Sequence, residues 1–144
     1  MLWKRLNRTA PETVFAVFQA NAAGIAADDV VQLELTAASV DGVKIIQPAT
    51  SNLKAVVGVA DAAIGNGAYG LVQIFGYRST SRLGPTDSTQ TSLGQCLTPV
   101  AGQDYFSTIT SLGGNGYPIA VLLESMTTGT SSDTVSKKIL LRAM

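Results

Sequence analysis

The sequence predicts an all-β domain, a compact β-barrel or β-sandwich of short antiparallel strands with an extended N-terminal arm. Three observations carry that prediction. Short β-branched and aromatic runs are separated by Gly, Pro, Asn, Asp and Ser, at roughly the 8–12-residue spacing typical of barrels and sandwiches. Two of the separators, Asp41-Gly42 and Asn66-Gly67, are dipeptides favoured where a hairpin turn requires positive φ. No stretch sustains the 3.6-residue apolar period of an amphipathic helix. The 144 residues suit one domain. They divide into an arm over residues 1–12 and a single β domain over residues 13–144.

The first strand is expected over Thr13–Ala20, where Val14–Phe18 is apolar on both faces and reads as a strand covered on both sides. Val30–Thr36 alternates, with Val31, Leu33 and Leu35 pointing one way and Gln32 and Glu34 the other. Gly42–Gln47 and Ala55–Ala60 follow. Gly70–Tyr77 is then the return strand of a hairpin around Asn66-Gly67. Beyond it lie Gln95–Val100, Ile119–Glu124 and Lys137–Arg142, the middle one preceded by Pro118 and the loop Gly113-Gly114-Asn115-Gly116. Asp61–Ile64 supports at most one helical turn, and Gln103–Leu112 a short irregular segment. Ser79–Ser92 and Thr127–Ser136 are polar, rich in Ser and Thr, and expected in surface loops.

Composition narrows the function classes. Hydrophobic residues make up 46% and charged residues 14%, the latter well below the usual share of about 25%. So apolar a chain buries a sizeable core. So few charges imply either a bland Ser/Thr surface or a surface hidden against partners. Ten basic and ten acidic residues cancel, which argues against direct binding of nucleic acid, a task that normally calls for a basic excess. The lone Cys96 cannot form an intramolecular disulfide. No apolar run approaches the roughly 18–20 residues of a membrane-crossing helix, so no membrane partner is expected. Lys4, Arg5 and Arg8 precede Val14–Phe18, but that run is too short, and Pro11-Glu12 separates the two, so a signal peptide is not expected.

The sequence contains no histidine. That removes Ser-His-Asp and Cys-His nucleophile pairs and the commonest transition-metal ligand. Cys96, without a His partner, reads as a small buried hydrophobe. No catalytic, cofactor-binding or metal-ligating residue is assigned, and no cofactor is expected. Asp28-Asp29 reads as a solvated pair at a loop-to-strand junction rather than a cation site. Gly65-Asn66-Gly67-Ala68-Tyr69-Gly70 satisfies G-x-G-x-x-G, the spacing of a dinucleotide loop. Such a loop must open a helix whose N-terminus receives the pyrophosphate. Here Leu71-Val72-Gln73-Ile74-Phe75 follows, an extended pattern, so the segment reads as a hairpin. The candidate interface is the arm. Leu2, Trp3 and Leu6 are apolar anchors beside Lys4, Arg5 and Arg8, and aromatic and arginine side chains are the usual anchors of interfaces.

Several stretches carry a resemblance. Asn7-Arg8-Thr9-Ala10-Pro11-Glu12-Thr13-Val14-Phe15, followed by Ala26-Ala27-Asp28-Asp29-Val30-Val31, resembles the opening of capsid decoration (cement) proteins of tailed bacteriophages. So do Val56-Val57-Gly58-Val59-Ala60 and the run from Ile64 to Gly76. The resemblance spans roughly Asn7 to Arg82, and its motifs are structural, not catalytic. It implies a β-barrel-like body on the outer surface of the virion capsid, made in the host cytoplasm and often a homotrimer. Such a body bridges neighbouring copies of the major capsid protein and stabilises the shell without catalysis. Family arms commonly reach adjacent subunits, and Met1–Thr9 would be the counterpart here. Two alternatives stand beside it. A tail, connector or fibre-associated phage protein would use the Ser/Thr/Gly-rich loops equally well. A small-ligand or carbohydrate-binding module, or a carboxylate enzyme, would have to draw on Asp28, Asp29, Asp41 and Glu124, with the sole tryptophan, Trp3, out in the arm.

Overall fold

The structure is a computed structural model that describes residues 12–21, 24–36, 41–49, 53–84, 92–109, 118–125 and 134–142. The arm residues Leu2, Trp3, Lys4, Arg5, Leu6 and Arg8 lie outside the described residues, as does the loop 113–116. The described residues are all-β. In chain order the strands are β1 Thr13–Ala20, β2 Val30–Leu33, β3 Lys44–Ile46, β4 Val56–Ala60, β5 Tyr69–Arg78, β6 Arg82–Leu83, β7 Cys96–Pro99, β8 Phe106–Thr108, β9 Ala120–Leu122, β10 Val135–Ser136 and β11 Ile139–Arg142. A single 3-10 turn, Leu53–Ala55, precedes β4. Each of the eight expected strands is present.

The first five strands close a barrel. Their order is β1-β3-β2-β4-β5, and β1 also pairs with β5. That closing seam is antiparallel, from Thr13 opposite Gly76 to Gln19 opposite Tyr69, with an irregularity between Val14 and Phe15. Closure removes the unpaired edges of an open sheet. Inside sit Ala20, Ile25, Val31, Ile45, Ala60, Ile64, Val72 and Ile74, with Ala16, Phe18, Leu33 and Val57 packed against them. The turn chemistry is as read from sequence. Gly42 and Gly67 have φ of 72° and 73°, the Asp41 carboxylate accepts from the amides of Val43 and Lys44, and Ala68 N–H donates to the Gly65 carbonyl. The segment Gly65–Gly70 is therefore a hairpin leading into β5, not the start of a helix.

The last four residues of β5 continue past the β4 pairing and take up β11, from Ile139 opposite Arg78 to Arg142 opposite Phe75. From β11 a second set of strands runs β9-β7-β8-β6-β10. Its apolar residues Leu83, Leu97, Phe106, Ile119, Leu122, Ile139 and Leu141 bury themselves with Val30, Val56 and Val59. This second core lies against the barrel wall at β2 and β4.

That packing corrects four expectations. Alternation in β2 does not separate core from solvent, because both faces of the strand are covered. Val30, Val31 and Gln32 are all buried, Glu34 nearly so, and Leu35 is exposed. Gln32 is accommodated because its side-chain oxygen accepts from the Ala49 amide at 2.9 Å. The two Ser/Thr-rich tracts are not simply surface loops: Arg82–Leu83 pairs with Val135–Ser136, and Ser81 and Leu83 are fully buried. Phe106–Thr108, within the segment read as irregular, is a strand anchored by the buried Phe106. Cys96 is half-buried rather than buried.

Candidate docking face

The β1–β5 seam sorts its side chains by the two-residue period of a strand. Ala16, Phe18, Ala20, Val72 and Ile74 turn into the barrel. The opposite face carries Phe15 and Val17 from β1 and Tyr69, Leu71 and Phe75 from β5, with Val14 brought beside Phe75 by the irregularity before Phe15, all between 37% and 64% exposed. The strand expected to be covered on both sides is thus covered on one. The second core shields the barrel at β2 and β4, and among the described residues no element lies over this outer face. Nor does it carry charge: no Asp, Glu, Lys or Arg occurs from Thr13 to Ala20 or from Tyr69 to Tyr77. A contiguous exposed apolar surface of this kind marks a site of association.

At the Thr13 end the face runs into a pocket of about 290 Å³, lined by Thr13, Phe15, Asp28, Asp61, Gln73, Tyr77, Arg78, Ser79 and Thr80. Phe15 and Gln73 are cross-strand partners, two residues on from the Val17–Leu71 pair, and so share its face. Arg78, only 6% exposed, forms the floor. Its Nη2 donates to Asp28 Oδ1 at 2.6 Å and to the Ala60 carbonyl at 2.8 Å. Its Nη1 reaches Gln73 Oε1 at 3.3 Å and Asp61 Oδ1 at 3.5 Å. Burying a guanidinium demands such partners, yet its Nε has none. Asp28 has a positive φ of 67°, a conformation Asp tolerates better than most side chains. The turn aims its carboxylate at Arg78, and the Thr80 hydroxyl donates to the same oxygen at 3.0 Å.

The neighbouring acid makes a second pair. Asp29 is 1% exposed, accepts from the Ala26 amide at 2.7 Å and from Arg82 at 2.8 Å, and shares Arg82 with Asp104. Burial pushes its carboxyl above the ordinary 3.8, and the Asp104 charge pushes the same way, against the Ala26 amide and Arg82. The reading of Asp28-Asp29 as a solvated pair is therefore wrong: each holds a guanidinium. The other acids singled out from sequence do not join them. Asp41 caps its own turn and Glu124 pairs with Lys137 at 3.3 Å. Among the described residues, no three His, Cys, Asp or Glu side chains lie close enough together to hold a metal ion.

Sequence reasoning named the arm and missed the face. The signal was present in two uncharged segments, 13–20 and 69–77, but their antiparallel pairing was not legible in either alone. It also missed Arg78 and Arg82, whose partners Asp28 and Asp29 lie 50 and 53 positions away.

The fold defines a class, a closed five-stranded barrel extended by a second set of strands. No protein-family model matches the chain, and no curated protein does. Among solved structures, the chain is similar to the crystal structure of the head fiber gp8.5 N base in bacteriophage phi29. The TM-score is 0.54 at 11% sequence identity, over 92% of this chain and 96% of that one. At that identity the likeness establishes the shared fold.

Proposed function

We propose that the chain is a structural protein of a phage particle, a capsid decoration protein that sits on the outer surface of the virion. There it bridges copies of the major capsid protein, acting as a homotrimer and without catalysis. The observation that carries this reading is the β1–β5 face, apolar, uncharged and outside both cores. Such a surface has no use for a transition state and much for association. Support comes from the likeness, over 92% of this chain, to the N base of a bacteriophage head fiber. The mechanism would be mass action: a protein that binds only the expanded shell stabilises it by RT ln(1 + [L]/Kd), multiplied over many copies.

The test is co-sedimentation with undecorated, expanded capsids of the same source. Saturable binding near one trimer per local three-fold position is expected. Deleting Met1–Arg8 should leave the fold intact and weaken capsid binding about ten-fold or more, a loss of about 1.4 kcal/mol or more. Equal binding by the truncated chain would remove the arm from the interface. A second reading, a fibre-associated or connector protein, is favoured by the likeness to a phage head fiber N base. Copy number separates the two, because densitometry of a purified particle would then find a few copies per virion instead of hundreds.

A further inference from the structure

The pocket at the Thr13 end of the β1–β5 face carries polar and charged groups that the docking of an apolar surface does not use. We propose that it binds one neutral sugar ring of a glycan, held between the Arg78 guanidinium and the Asp61 carboxylate and laid against Phe15 and Tyr77.

Three observations converge on that ligand. The first is an unmet donor. Arg78 is buried and lines the pocket, and its Nη1 and Nη2 serve Gln73, Asp61, Asp28 and the Ala60 carbonyl, while its Nε has no partner. A buried N–H without an acceptor carries a desolvation cost that a ligand oxygen relieves. The second observation is the mixture of charges. Among the described lining residues, Asp28 and Asp61 are the acids and Arg78 the base. The two carboxylates repel a phosphate or carboxylate brought to the guanidinium, and an ammonium or guanidinium ligand has no acceptor to offer Nε. A neutral hydroxyl does both tasks, accepting from Nε and donating to a carboxylate. Asp61 is the more exposed of the two acids, at 47% of its side chain, and so the better placed to receive that donor. The third observation is size and shape of surface. At about 290 Å³ the pocket lies at the lower end of the range for small-molecule sites, about 300–1,000 Å³, which suits a single ring. Phe15 and Tyr77 line it together with the Thr13, Ser79 and Thr80 side chains. Aromatic surface beside hydroxyl and carboxylate groups matches a sugar, whose ring faces carry C–H groups and whose edge carries hydroxyls.

This inference concerns the isolated protein and stands or falls independently of capsid binding. Phe15 belongs to both the pocket and the docking face, so the test leaves it intact. Isotope-labelled protein is titrated with the methyl glycosides of glucose, galactose, mannose and N-acetylglucosamine, and its amide resonances are followed. At least one glycoside should saturate, with a Kd on the order of a few millimolar, the strength a single small ring reaches at ordinary ligand efficiency. The shifted amides should include those of Asp28, Asp61, Ser79 and Thr80. Asp61→Asn keeps the shape and removes the charge, and should bind the same glycoside about ten-fold more weakly, with amide resonances away from the pocket unchanged. No saturation by any of the four, shifts confined to other parts of the molecule, or equal binding by a folded Asp61→Asn chain would each overturn the proposal. Acetate and methylguanidinium serve as counter-probes. Saturable binding of either at the same amides, tighter than that of every glycoside, would overturn the sugar in favour of an ion.

Discussion

Asp29 and Glu34 sit on either side of β2 and respond to pH in opposite senses. Glu34 accepts from the Thr36 amide at 2.9 Å, which holds its carboxyl below the ordinary 4.5. Its contribution to stability is present above that value and is lost as pH falls through the lowered folded one. Asp29 is raised by burial. In the window just above 3.8 the folded chain therefore binds more protons at this site than the unfolded chain, and stability declines as pH rises. In urea titrations across that window, the stability difference between Asp29→Asn and the parent should move in the variant's favour as pH increases. A difference that moved the other way would show that Arg82, not burial, dominates the site. Neither group announces itself in the sequence. Both sit near β2, where simple alternation predicts no buried acid, and only the second core makes that wall interior.

At the scale of elements, the closing seam of the barrel contains a crowded backbone contact. Gly76 lies opposite Thr13 at the start of the closing seam, with a φ of 100°, and a methyl group there would run into the Glu12 carbonyl. Gly76→Ala therefore combines an unfavourable dihedral with a backbone collision, and should cost about 3 kcal/mol or more. Gly42 is the useful comparison. It too has positive φ, but nothing lies within 4 Å of an added Cβ, so Gly42→Ala should cost only about 1 kcal/mol. Chemical denaturation of the two variants separates dihedral strain from crowding, and equal losses would mean the seam yields. The turn role of Gly42 was legible from Asp41-Gly42, because turn chemistry is local. The demand on Gly76 was not, since it comes from a strand more than 60 positions earlier.

For the whole molecule, the telling element is β5. Its ten residues pair with β1, β4 and β11, so one strand carries backbone pairing in both the barrel and the appended sheet. A strand shared in this way couples the barrel to the appended strands, and the described body should unfold as one cooperative unit. Leu97→Ala truncates a fully buried side chain in the second core and should cost about 2–5 kcal/mol. Hydrogen exchange should show the loss in the amides of β1 and β5 as well as in those around the mutation. Protection lost from the appended strands alone would divide the molecule into two folding units.

Taken by itself, the sequence determined the local events. Runs of Val, Ile and Phe between glycine and asparagine turns set all eight expected strands, and the hairpin at Asn66-Gly67 ruled out a nucleotide loop, because backbone preference and turn dihedrals act over a few residues. The tertiary structure decided what depends on distant partners. It turned short Ser/Thr-rich and irregular segments into strands wherever another strand or a buried Leu83 or Phe106 held them. It brought Arg78 and Arg82 to Asp28 and Asp29. By placing the second core against β2 and β4, it left the outer side of β1 and β5 without a covering element among the described residues. Hydrophobic pattern says that a residue seeks cover, but only packing determines which faces of a barrel receive it.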